Sequence, residues 1–250
     1  MSNIKSESVS LKEVPDSKWN ALAEKKIYFG HHSVGFNMVD GFMDILPENP
    51  QLKLNLIETM DPLSFSRPVF AHSRIGVNTN AISKIDDFER FMEEVNGKVD
   101  YAFFKFCFID ITDNTDINRI FSHYKKKITN IKSKFSNTTI IHFTIPITCI
   151  PEGPIALVKK LLGRQQNHFN DNARRMELSE MILKEYSGKE PVFDIAAKES
   201  TAPDGKKVLH AKGGRRLPAL LPEYTYDCGH LNMAGRKRVA SQLLIMLANL

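Results

Sequence analysis

The sequence predicts a single-domain three-layer α/β/α sandwich built on a central, mostly parallel five-stranded sheet. Three observations predict it. Short β-rich runs alternate with longer stretches of helical period, as in a parallel sheet with helices on both faces. The 250 residues, 42% hydrophobic and 25% charged, are enough to bury one sizeable core. No internal repeat, low-complexity tract or Gly/Ser linker divides the chain.

Residues 1–24 read as a polar N-terminal extension and residues 25–250 as the domain. The β-rich runs are Lys26–Gly30, Leu52–Ile57, Asp100–Phe108, Thr138–Thr144 and Pro191–Ile195. After the first, Val39, Phe42, Met43 and Leu46 fall at helical spacing, and Pro47, Asn49 and Pro50 supply the stop. Further helices are predicted over Ala81–Val95, Ile117–Phe135, Asn167–Tyr186 and Met233–Ala248. In the last, Val239, Ala240, Leu243, Leu244 and Leu247 form the stripe that closes the fold against the sheet. Two irregular stretches, 146–165 and 198–226, are long enough to serve as site-covering loops. Both should lie near the carboxyl ends of strands, where open α/β sheets place their sites.

Charge excludes little but favours few partners. Lys and Arg number 34 against 29 Asp and Glu, a small excess of +5. The densest basic stretches, His123–Lys127 with Lys132 and Lys134, and Lys206–Arg216, carry no interleaved aromatics to stack bases, so no nucleic-acid partner is expected. Cys107, Cys149 and Cys228 are odd in number, widely spaced and without a CxxC pair. They suggest neither a disulfide framework nor a thiolate zinc site, and a reducing compartment fits them best. The amino terminus lacks the apolar core of a secretory signal, and no run approaches the roughly 18–20 apolar residues of a membrane span. The expectation is a soluble cytoplasmic protein without a membrane partner.

Two motifs carry candidate chemistry. In KIYFGHHSVG, a buried strand passes through Gly30 into a polar turn and then a helix, which places Ser33 at a strand-to-helix junction where helix amides can stabilise an oxyanion. Taken alone, helix capping is the commoner use of a serine there. In YDCGHLNMAG, Asp227 and His230 lie three residues apart in a turn before the terminal helix. The carboxylate could orient the imidazole while it takes a serine proton; equally, Asp227 could bond its own turn and Asn232 could cap the helix.

A first-strand GxxS followed by a carboxyl-terminal DxxHLN resembles the SGNH, or GDSL-like, hydrolase superfamily. The runs FGHHSVGFN, RIGVNTNAISKIDDF, FFKFCFID, GKEPVFD and DCGHLNMAGR resemble a bacterial branch of it, from Lys25 onward. The resemblance implies Ser33 as nucleophile, His230 as general base and Asp227 as its orienting acid. It also implies an oxyanion hole from the amide of Ser33, a second-block glycine that maps onto Gly76, and a third-block asparagine. Where the third block should read GxND, this sequence has Phe106-Cys107-Phe108-Ile109-Asp110. Asn78, Lys105, or an imidazole from His31 or His32 could substitute, with Asn78 preferred. Asp110 could organise the site or cap the turn that follows it.

The function so implied is serine-dependent hydrolysis of an acyl ester, O-acetyl among the candidates, on a small-molecule or carbohydrate substrate, with no cofactor. An acyltransferase would use the same residues. Two other classes compete. A metal-dependent hydrolase would use His31, His32 and His230 with Asp110 or Asp227, although none of the usual short ligand spacings appears. A non-catalytic binding protein would fit the missing third-block asparagine.

Overall fold

The computed structural model describes residues 10–151 and 168–250. Among the described residues eight strands and seven α-helices run in the order α1 (Asp16–Ala23), β1 (Lys26–His31), α2 (Val34–Ile45), β2 (Leu56–Glu58), β3 (Val69–Arg74), α3 (Ala81–Val95), β4 (Tyr101–Phe104), α4 (Ile117–Lys134), β5 (Thr139–Phe143), α5 (His168–Tyr186), β6 (Val192–Phe193), α6 (Ile195–Ser200), β7 (Leu209–Lys212), β8 (Arg215–Pro218) and α7 (Met233–Ala248).

The main sheet has six strands, not five, in the order β2-β3-β1-β4-β5-β6, and every pairing is parallel. The additional strand is β3. Its sequence, VFAHSR, ends in three polar residues, so no hydrophobic run announces it. Two of the three are nevertheless buried, because each meets a polar partner on β1: His72 bonds His31 at 3.1 Å and Ser73 bonds Tyr28 at 2.8 Å. The expected helices agree closely with α3, α4 and α7, and α5 covers the described part of Asn167–Tyr186.

Successive side chains of a strand point to opposite faces, and two cores result. On one face Ile27, Phe29, Phe70 and Phe103 pack under α1, α2 and α7; on the other Tyr28, Ala71, Ala102 and Phe104 pack under α3, α4 and α5. The described part of the stretch expected as a polar extension joins the first core, since Val14, Trp19 and Leu22 are buried in it. Helices α2 and α7 lie so close that a Cβ on Gly41 would come within 2.5 Å of the Arg236 carbonyl oxygen.

Residues 198–226, expected as irregular, hold a β7–β8 antiparallel hairpin and a short 3-10 turn at Pro222–Tyr224. Residues 152–165 of the other expected loop lie outside the described residues. Among the described residues no helix is long and apolar enough to cross a membrane.

The topology places a site by itself. From β1 the chain goes to the edge strand β2, returns to β3 beside β1, and then crosses to β4, β5 and β6 on the other side, so the crevice of a doubly wound sheet opens at the carboxyl end of β1.

Candidate active site

Strand β1 ends at His31, and the His32–Ser33 turn leads into α2. Ser33 has φ 51° and ψ −114°, a conformation that costs a residue with a side chain of order 1–3 kcal/mol. The turn is tight enough to need Gly35, where a Cβ would stand 2.3 Å from that of His31. Ser33 does not cap α2 with its side chain. Its Oγ lies 2.7 Å from His230 Nε2 instead.

His230 stands in the turn before α7. Its Nδ1 is 2.6 Å from Asp227 Oδ2, while Asp227 Oδ1 accepts from the amides of Gly229 at 2.9 Å and His230 at 2.7 Å. A carboxylate on Nδ1 fixes the tautomer: the proton sits on Nδ1 and the Nε2 lone pair faces the Ser33 hydroxyl. Partial burial pushes the Asp227 carboxyl up, but the His230 side chain and the two amides outweigh it and hold the group down at about 2. Asn37 of α2 accepts from the Leu231 amide at 3.1 Å, and the Phe108 ring meets the imidazole edge-on at 5.5 Å. Asn232 caps α7, accepting from the Gly235 amide at 3.0 Å. The His230 and Asp227 side chains are 47% and 55% exposed, so the pair opens directly to solvent.

The cysteines depart from expectation. Cys149 and Cys228 form a disulfide across 79 residues of sequence, and the Cys149 amide also donates to the Cys228 carbonyl at 2.9 Å. Cys228 lies between Asp227 and His230, so the bond ties their turn to the segment after β5. Composition could not reveal it, because nothing in the spacing of three cysteines marks a pair so far apart. Cys107 remains a buried free thiol.

The remaining candidates divide. The Gly76 amide donates to Asp87 Oδ2 at 2.6 Å and is therefore engaged rather than aimed at an oxyanion; the Gly76 carbonyl accepts from His32 Nε2 at 3.2 Å. Burial lowers the His32 pKa, which favours a neutral ring that orders this loop. Asn78 turns Oδ1 to Lys84 Nζ at 3.0 Å. Asp110 is buried and holds its surroundings together, accepting from Lys84 Nζ at 2.6 Å, the Cys107 amide at 2.6 Å and the Thr79 amide at 2.8 Å. Lys105 is fully buried and donates to the Phe106 carbonyl at 3.1 Å, so it faces the core; burial lowers its pKa. His31 is buried against His72, and burial above all drives it down to about 2.

The histidines proposed as metal ligands thus serve three separate contacts. Among the described residues no three His, Cys, Asp or Glu side chains converge to hold a metal ion.

Several supporting residues were not singled out from the sequence. Lys84 had a readable signal: it sits on the apolar face of α3 with Ala81, Ile85 and Phe88, where a lysine must find a buried partner. Arg175, from α5, donates to the carbonyls of Phe108 at 2.9 Å and Ile111 at 3.0 Å and to Thr148 Oγ1 at 3.1 Å, fixing the loops that carry Phe108 and Cys149. Glu199 accepts from the Ile147 amide at 2.8 Å, and its burial pushes the carboxyl up to about 8. These contacts span 27–67 residues of sequence and leave no local pattern.

No family model matches the sequence, and no curated protein does. Solved structures do share the fold. A GDSL-like lipase from Bacteroides thetaiotaomicron is 13% identical, with a TM-score of 0.56 over 93% of this chain and 95% of that one. A protein from Streptococcus pneumonia, provisionally described as a platelet activating factor, is 16% identical, with a TM-score of 0.52 over 93% and 90%. The chain therefore has the α/β fold of these proteins.

Proposed function

We propose that this protein is a serine-dependent acyl-ester hydrolase. The observation that carries the reading is the continuous chain from Ser33 Oγ through His230 to Asp227, with links of 2.7 and 2.6 Å. The shared fold of the GDSL-like lipase supports it.

His230 Nε2 takes the Ser33 proton as Oγ attacks the ester carbonyl. The imidazolium is stabilised by the Asp227 carboxylate and then gives that proton to the departing alkoxide. Water, activated by the same imidazole, attacks the acyl-enzyme, and the carboxylate product leaves with Ser33 regenerated. An alcohol in place of water would make the same residues an acyltransferase. The strained backbone of Ser33 holds its hydroxyl out of the capping position and toward the base.

A fluorophosphonate probe tests this without knowledge of the substrate. Stoichiometric modification mapped to Ser33, and absent in His230→Ala, is the expected result. Folded protein that takes up no label would overturn the reading.

A further inference from the structure

Resting on the triad above, we infer that Phe108 is a positioning residue for His230: its ring, gripped by the buried Arg175, keeps the imidazole in line between Ser33 and Asp227.

The imidazole has little else to lean on. Its nitrogens meet Ser33 Oγ at 2.7 Å and Asp227 Oδ2 at 2.6 Å, yet its side chain is half-exposed. Two hydrogen bonds set the direction of such a ring but do not by themselves keep it from swinging toward water. A packed surface does. Phe108, half-buried at the start of the 3-10 turn Phe108–Asp110, supplies one, with the two ring centroids 5.5 Å apart and the planes at 71°, an edge-to-face pair of ordinary geometry.

The same ring bears on the turn that carries His230. A Cβ on Gly229 would stand 2.7 Å from Phe108 Cζ and 3.0 Å from Cε1. Gly229 does not lie at positive φ, so its backbone tolerates a side chain, and it is the ring that calls for glycine there.

Arg175 of α5 makes that ring a fixed surface rather than a yielding one. Its guanidinium carbon lies 5.7 Å from the Phe108 ring centre, and its Nε donates to the Phe108 carbonyl at 2.9 Å, so one side chain grips both ring and main chain. Its Nη1 donates to Thr148 Oγ1 at 3.1 Å, and the next residue, Cys149, holds Cys228 through the disulfide and an amide hydrogen bond. The Cys228–His230 turn is thus held from two sides, by Cys149 and by Phe108, and one buried guanidinium joins them. Asp171, the carboxylate paired with Arg175 among the described residues, is 4.0 Å away, so the close contacts of this charge go to the two loops and to Asn172 of its own helix.

Turnover of p-nitrophenyl acetate by Phe108→Leu, Gly229→Ala and the double variant tests this, with Ser33→Ala as control and circular dichroism to establish folding at the assay temperature. Phe108→Leu removes the far ring carbon and should lower kcat about tenfold, with KM changed by no more than a few-fold. Gly229→Ala drives the turn off the ring, and a displacement of about 1 Å should cost about a hundredfold in kcat. In the Phe108→Leu background the same methyl has room. The double variant should therefore turn over about tenfold faster than Gly229→Ala alone, a rescue of kcat that a general loss of stability does not give.

Should Phe108→Leu fail to fold, Phe108→Met, similar in volume and flexible at its end, replaces it in both arms. Parental kcat in Phe108→Leu, whether or not KM rises, or a Gly229→Ala cost of equal size in both backgrounds, overturns the inference while Ser33-dependent turnover leaves the triad standing. Turnover that survives Ser33→Ala removes the triad and the inference together.

Discussion

The two halves of the candidate site are built in opposite ways. Ser33 and its loop neighbours stand on β1, β3 and α3, and beneath them polar groups are buried and matched: His31 with His72, Lys84 with Asp110. Asp227 and His230 occupy an exposed turn whose contacts are local amides, a ring edge from Phe108 and one disulfide. Ser33, the proposed nucleophile, is held at strained φ and ψ and needs surroundings that over-determine it, and a buried matched network supplies them. The base proposed at His230 exchanges protons and so tolerates exposure, provided something fixes its tautomer. Rigidity is thus concentrated where the backbone is unfavourable, and the Asp227–His230 turn is tethered rather than buried.

The comparison breaks most decisively at Ser33 and His230. Ser33→Ala and His230→Ala should each lower kcat on an activated ester by about 10⁴-fold or more, with thermal unfolding little changed for the exposed His230. A near-normal rate in either would dissolve the site.

Asp227→Asn should cost about 10²- to 10⁴-fold, because the amide can hold the wrong tautomer. Since the Asp227 carboxyl is held at about 2, it stays ionised in the fold down to about that pH. The sign follows. Its folded pKa lies below the unfolded value, so its contribution to stability is present above about pH 4 and is lost as pH falls toward 2. With half the side chain exposed, that contribution is small. Asp227 is therefore already ionised at pH 5, and its protonation contributes nothing to any change of kcat between pH 5 and 7.

The tether is tested by Cys149→Ser or by reduction under native conditions. A bond closing 79 residues stabilises by up to about 4 kcal/mol on chain entropy, which corresponds to a fall in Tm of roughly 8–16 °C. Activity should fall only a few-fold, because Asn37 still holds Leu231 and the Asp227 turn keeps its own amides. A loss as large as that of Asp227→Asn would mean that the disulfide, not the turn, aligns the base.

The last effect concerns the buried side and bears on stability rather than turnover. Glu199, raised to about 8, favours the fold while protonated; its contribution is complete below the unfolded value near 4.5 and fades as pH rises through 8. The Tm of Glu199→Gln should therefore gain on the parent between pH 5 and 9. A constant difference across that range would show that the carboxyl does not titrate there.

The alternation of strand and helix, the boundaries of α3, α4 and α7, and the two blocks holding Ser33 and Asp227–His230 were legible in the sequence. The elements rest on periodicity, and local patterns report local geometry, whereas the two blocks stand out only through the GxxS and DxxHLN resemblance. Strand β3 was hidden because His72 and Ser73 read as surface residues, and only pairing with β1 makes them buried ones. Gly76 was placed in the correct loop but given a role its amide cannot serve with Asp87 in reach.

The meeting of Ser33 Oγ and His230 Nε2 spans 197 residues, the Cys149–Cys228 bond 79 and the Lys84–Asp110 pair 26. The sequence by itself determined which elements form and which residue types end at the carboxyl edge of the sheet. Tertiary structure alone decided which of them touch, because the winding of six strands sets those distances, and residue types fix only what each contact does once it is made.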